Sequence, residues 1–111
     1  LAAWPVVMRE SGSGVRHLVE AAFTEAGLVA TVSLELAGVE GVKQAVRAGL
    51  GVSFVSIMSM EHEDGSLATL RVLPYGLKRT LSALMPHAEA AGRATLRFLE
   101  ICLEQKCQDL K

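Results

Sequence analysis

The sequence predicts an α/β protein organised on a largely parallel sheet. An apolar segment, Pro5-Val6-Val7-Met8, runs through a Gly/Ser loop into a stretch with helical spacing. A strand-like alternation from Val29 to Leu36 is followed by a second helical repeat, and Val52 to Ile57 supplies a third apolar segment. Strand, helix, strand, helix, strand in succession is the signature of right-handed crossovers on a parallel sheet.

The first strand ends in the loop Ser11-Gly12-Ser13-Gly14. Beyond it Val15, Leu18, Val19, Ala22, Phe23 and Ala26 recur every three or four residues, one face of a helix. Gly27 stands where a left-handed cap would close it. The opening amides of a helix lack internal partners and carry the positive end of its dipole, so this turn suits a carboxylate or another small anion. Ser13 or Ser11 can cap the helix there. The same pattern also describes an ordinary N-cap in which the glycines ease a tight turn.

In the second strand the even positions are Ala30, Val32, Leu34 and Leu36, against Val29, Thr31, Ser33 and Glu35 at the odd ones. Such alternation predicts one better-buried face. A second helix follows from Val39 to Ala48, with Val39, Val42, Ala45, Val46 and Leu50 on one side. Glu40 lies in its first turn, where the dipole favours a carboxylate, and Gly49 and Gly51 stop it. Val52 to Ile57 reads as a strand buried on both faces. Ligands of parallel sheets sit beyond the carboxyl ends of the strands, here Glu10 to Gly14, Leu36 to Val39 and Ser56 to Met58.

Ser59 to Ser66 is polar, and Glu61-His62-Glu63-Asp64 reads as a solvated acidic loop. Further strands are expected at Leu67 to Leu73 and at Arg79 to Pro86, separated by Pro74-Tyr75-Gly76. A last helix spans His87 to Lys106 with Ala91, Ala94, Thr95, Phe98 and Cys102 as its stripe, widened by Leu96, Leu99 and Leu103. A stripe that broad needs a partner surface, and the expectation is a homo-oligomer.

A chain of 111 residues provides one core, and half of them are hydrophobic. A net charge of −1, with scattered Lys and Arg, gives no footprint for nucleic acid. No run approaches a membrane span, and no signal peptide is evident. Leu1 in place of methionine suggests a fragment or a processed product. Cys102 and Cys107 fall on different faces of the last helix, so they read as free thiols in a reducing cytoplasm.

The chemistry of catalysis is missing. The loop has no Gly-Lys-Ser/Thr ending, no further glycine of a dinucleotide fingerprint, and no nucleophile-elbow spacing around Ser13. His17 lies one turn from Ser13, with no acid to orient it. His17, His62, His87, Cys102 and Cys107 show no ligand spacing, so neither metal nor cofactor is expected. Trp4 and Tyr75 read as packed at segment ends.

Arg9-Glu10-Ser11-Gly12-Ser13-Gly14-Val15-Arg16, then Leu34-Glu35-Leu36, then the run from Val42 to Val55 with Val-x-Ala-Gly-Leu-Gly-Val at its centre, resemble the effector-binding domain of LysR-type transcriptional regulators. Gly65-Ser66-Leu67, Arg79 and the closing helix extend the likeness over nearly the whole chain. Val15 departs from it, since many members carry threonine there. The resemblance implies a periplasmic-binding-protein-like type 2 fold, two α/β lobes joined by two crossover strands with a ligand in the cleft. Residues from about 5 to 58 would form one near-complete lobe, and those from about 67 to 111 the crossover strands and C-terminal helix. It places Ser11, Gly12, Ser13, Gly14, Leu36, Ala37, Gly38, Ser56 and Ile57 on a small, often anionic effector. Ala37 offers only backbone groups and a methyl. The protein would be a cytoplasmic regulator and not an enzyme, contacting DNA through an N-terminal helix-turn-helix outside this chain. The alternative on the same fold is an extracytoplasmic solute-binding protein used in transport.

Overall fold

The computed structural model describes residues 4–72 and 76–109. It divides into two compact units, Leu1–Arg79 and Thr80–Lys111. In the first, β1 (Pro5–Arg9) and β2 (Thr31–Leu36) pair in parallel, each followed by a helix, α1 (Gly14–Glu25) and α2 (Val39–Arg47). The second holds α3 (Arg93–Asp109). No helix among the described residues is long and apolar enough to cross a membrane.

β1 is the centre of the first unit. Val6, Val7 and Met8 are all but fully buried, as a strand covered on both faces requires. Val6 and Met8 meet Val19 of α1, with Val15, Phe23, Ala30, Val52 and Phe54 around them. The Phe23 and Phe54 rings pack edge to face at 5.9 Å. On the opposite face Val7 meets Val42 and Ala45 of α2, flanked by Leu34, Leu36 and Val55. The helical repeats therefore become two small cores, one on each side of the strand. Leu50, expected on the apolar side of α2, is half exposed instead, at 50%.

α1 closes as expected: Gly27 N–H donates to the Thr24 carbonyl (3.0 Å) and Leu28 N–H to that of Phe23 (2.8 Å). β2 departs from simple alternation. The register steps from Val6↔Val32 to Val7↔Leu34, leaving Ser33 as an inserted residue. A bulge of this kind reverses the face of everything beyond it. Ala30 accordingly packs toward α1, whereas Leu34 and Leu36 pack toward α2. The Ser33 hydroxyl lies 3.3 Å from the carbonyl oxygens of both Val6 and Leu50.

The third strand is reduced to one parallel bridge, Val6↔Val52. Val7 N–H donates to the Val52 carbonyl (2.8 Å) and Val52 N–H to that of Pro5 (2.9 Å). The next ladder bond would run to the Val7 carbonyl, but the Ser53 hydroxyl takes that acceptor at 2.6 Å. Residues 52–56 are half-buried rather than buried on both faces, and Ile57 begins a 3₁₀ turn, Ile57–Met60. Gly51 makes the approach possible. With φ at +148°, a Cβ there would stand 2.3 Å from the Pro5 carbonyl oxygen.

Two expected strands are not present among the described residues. Residues 67–72 and 79–86 form no ladder among the described residues, and Leu70, Leu81 and Leu84 are 79%, 78% and 97% exposed. A strand needs a neighbouring backbone to satisfy its amides, and the described chain offers none there. Leu73 and the Pro74-Tyr75 break lie outside the described residues. The last helix starts at Arg93, after a 3₁₀ turn at Ala88–Ala90 and Gly92, rather than at His87. Its stripe lies open: Phe98 is 68% exposed, and Cys102 is an exposed free thiol. Trp4 is exposed as well, not packed.

Val7→Ala should lower stability by about 2 kcal/mol, from lost transfer energy and the cavity left behind. Gly51→Ala should cost at least as much, about 2–3 kcal/mol, because the β1–Val52 bridge must open. Urea unfolding at constant m-value measures both; a Gly51→Ala midpoint equal to that of the parent would contradict the packing described.

Candidate functional site

Because β1 and β2 run in parallel and end level, at Arg9↔Leu36, both following loops leave the same edge of the sheet. Glu10 N–H donates to the Leu36 carbonyl (3.1 Å), carrying the pairing one residue past the strands. Ser56 follows four residues after Val52, as Glu10 follows four after its bridge partner Val6. The starts of α1 and α2 therefore stand at one edge.

At the start of α1, the exposed Ser11 and Gly12 lead to Ser13, buried to 8% exposure. Ser13, not Ser11, is the N-cap: its hydroxyl accepts from Arg16 N–H (3.4 Å) and its carbonyl accepts from His17 N–H (3.0 Å). That hydroxyl is engaged as a cap, and the His17 side chain is exposed. At the start of α2 the N-cap is Gly38, with φ +79°, and no side chain caps the helix. Leu36 is half-buried, Ala37 exposed. Ser56 precedes the 3₁₀ turn and Ile57 is 71% exposed.

Charged side chains brace this edge. Arg9 forms a two-pronged pair with Glu10 (2.7 and 2.8 Å). Arg16 reaches Glu20 (2.8 Å), the Arg9 carbonyl (2.9 Å) and Glu35 (2.6 Å), and Ser11 N–H lies 3.4 Å from the other Glu35 oxygen. The Arg9 guanidinium, with help from backbone amides including that of Gly38, holds the Glu10 carboxyl at a pKa of about 2. Arg16 and the Ser11 amide lower that of Glu35. The Arg79 guanidinium comes within 3.7 Å of where a Cβ on Gly14 would stand. It has no hydrogen-bond or ion-pair partner among the described side chains, which leaves a cation beside the α1 tip.

A second polar cluster lies behind the edge. Lys43 of α2, 5% exposed, pairs with Glu40 and Glu63, and Glu63 also takes the Arg47 guanidinium. Of the 61–64 segment expected to be solvated, Glu61, His62 and Asp64 are exposed, and Glu63 alone departs, its side chain only 12% exposed. The Arg16–Glu20 pair had a visible signal in its four-residue helical spacing. Glu63 had none, because Lys43 and Arg47 are distant from it in sequence, and no spacing reveals that Arg79 comes beside Gly14.

The depressed Glu10 pKa has a definite sign. A carboxyl whose folded pKa lies below its unfolded one stabilises the fold above pH 4.5, and that contribution disappears as pH falls toward 2. The melting temperature of the parent chain should exceed that of Glu10→Gln at pH 6, and the gap should close by pH 2. A gap that stays constant over this range would remove the Arg9–Glu10 pair from the edge.

The LysR substrate binding domain family matches residues 1–106. The HTH-type transcriptional activator CmpR of Synechocystis sp. is 44% identical over 77 residues, 68% of this chain and 25% of that protein. A RuBisCO operon transcriptional regulator of Acidithiobacillus ferrooxidans is 34% identical over 98 residues, 86% of this chain and 32% of that protein. The HTH-type transcriptional regulator CbbR of Xanthobacter flavus is 37% identical over 101 residues, 86% of this chain and 30% of that protein. The chain thus spans between a quarter and a third of the length of these relatives. Its matched residues, its parallel strand pair and its Gly/Ser helix start agree, and the chain belongs to the LysR substrate binding domain family.

Proposed function

We propose that this chain is part of the effector-sensing domain of a cytoplasmic LysR-type transcriptional regulator, binding a small anionic molecule and relaying its presence to DNA. The observation that carries the proposal is the placing of two helix starts, Gly14 and Gly38, at one edge of a parallel sheet. The effector's acid group would meet the α1 opening amides and the Arg79 guanidinium. Ser11, Gly12, Ser13, Leu36, Ala37, Ser56 and Ile57 would line the remainder. Backbone groups carry most of this recognition, since the Ser13 hydroxyl serves its own helix and Ala37 has no polar side chain.

In this reading the fold is the type 2 periplasmic-binding-protein-like one. Residues from about 5 to 58 belong to its second lobe, and those from about 67 to 111 cross back and end in α3. The extended segments at 67–72 and 79–86 become strands when a first lobe supplies their pairing edge. DNA is contacted by an N-terminal helix-turn-helix of the whole protein, which acts as a homo-oligomer. In this reading the work of the site is recognition rather than turnover. The regulator names of the three relatives favour this over a solute receptor used in transport.

Titrating the ¹⁵N-labelled chain with inorganic phosphate tests the site. The amides of Gly12, Ser13, Gly14 and Gly38 should shift saturably and together, while Gly65 stays still. Shifts absent at those four, or spread evenly over the chain, would overturn the reading.

A further inference from the structure

The Lys43 cluster is not required by the anion-binding edge, yet its bonds lead there. The Lys43 ammonium has three N–H donors and meets three acceptors: Glu40 Oε1 (2.8 Å), Glu63 Oε1 (2.5 Å) and the Ser59 carbonyl oxygen (3.0 Å). Ser59 in turn gives two hydrogen bonds to the Ser56 carbonyl, from its amide (3.0 Å) and its hydroxyl (2.6 Å). Glu63 is shared with Arg47, whose Nε reaches the Ser66 hydroxyl at 2.9 Å. α2 is thereby fastened to the 56–66 segment at two points, Lys43 a little over one turn and Arg47 about two and a half turns behind its own tip at Gly38.

Stability alone is a poor reason for such a cluster. A buried ion pair contributes little beyond what a well-packed apolar pair would. Its directional bonds do something an apolar contact cannot, which is to fix one backbone segment against another. The segment fixed here begins at Ser56, and the helix that fixes it begins at Gly38. The carboxylates of Glu40 and Glu63 raise the Lys43 pKa and Lys43 lowers that of Glu63, so the clasp stays ionised through the neutral range.

We infer that Lys43 is a positioning residue of the effector site, holding the Ser56 rim at a set distance from the α2 tip through Ser59. The inference rests on the effector reading given above. Lys43 itself touches no ligand; it acts through the Ser59 and Ser56 carbonyls. The consequence is that the third rim segment moves with α2 as one piece, and an anion held at Gly38 meets Ser56 already in place.

The test compares the parent chain with Lys43→Met, Lys43→Arg and Glu63→Gln, reading inorganic phosphate binding at Gly38 and Ser56, amide hydrogen exchange at Ser59, and melting temperature. Lys43→Met should weaken phosphate binding by about fivefold or more and speed Ser59 exchange, beyond what its melting temperature explains. Lys43→Arg, which keeps the charge and donors, should recover binding to within about twofold of the parent. A phosphate Kd in Lys43→Met equal to that of the parent, whatever the loss in melting temperature, assigns Lys43 a purely structural part and overturns the inference alone. Absence of phosphate binding to the parent chain overturns the effector reading and the inference with it. Should Lys43→Met not fold, Glu63→Gln decides: weaker phosphate binding with faster Ser59 exchange supports the inference, and faster exchange with unchanged binding refutes it.

Discussion

The parallel pairing of β1 with β2 is the constraint from which the rest of the first unit follows. It is a short ladder, five paired positions with one step in register, yet it fixes the direction of both following loops. Because Arg9 and Leu36 end level, α1 and α2 must begin side by side. Because Val6 and Met8 face one way and Val7 the other, those helices must pack on opposite faces. The burial of three consecutive β1 residues makes the arrangement costly to reverse, since a slip of one position would exchange the two cores. Placement of the edge that carries both helix tips is therefore a consequence of hydrophobic burial some distance behind it.

Electrostatics then refine what packing has placed. Arg9, Arg16, Glu10 and Glu35 form a brace across the strand ends, and exposed pairs of this kind contribute order more than energy. No side chain caps the opening of α2, and the Arg79 guanidinium stands beside the opening amides of α1. Behind the edge, Lys43 and Glu63 connect α2 to the segment following the third strand position. The second unit is different in kind. No described side chain between Thr80 and Gln105 is buried, and a lone helix of 17 residues is marginal in water. Leu96, Phe98, Ile101 and Leu103 along it are exposed.

What could be read from residues alone was local. The Val15–Phe23 repeat, a serine cap at Ser13 or Ser11, the Gly27 stop and the α2 repeat each encode themselves within a turn or two, and each is found in the structure, with Ser13 as the cap. The parallel order of the first two strands was legible as well, since it follows from the succession of elements. Failures came where a hydroxyl competed with the ladder or where a partner was missing. Ser33 inserted a residue and reversed the face of Leu34 and Leu36; Ser53 took the Val7 carbonyl and ended the third strand after one bridge. Residues 79–86 have the alternation of a strand but no described backbone to pair with. Glu63 and Arg79 gained their meaning from contacts 16 or more positions away, which spacing does not reveal.

The two strand ends are joined beyond their last paired residues, so that both helix tips share one edge. The most direct measurement is the through-hydrogen-bond scalar coupling between the Glu10 amide nitrogen and the Leu36 carbonyl carbon in the doubly labelled chain. A cross-peak linking those two nuclei is the predicted result. Its absence, in a spectrum where the Val7–Val52 cross-peak is clear, would separate the two tips and contradict the site built on them.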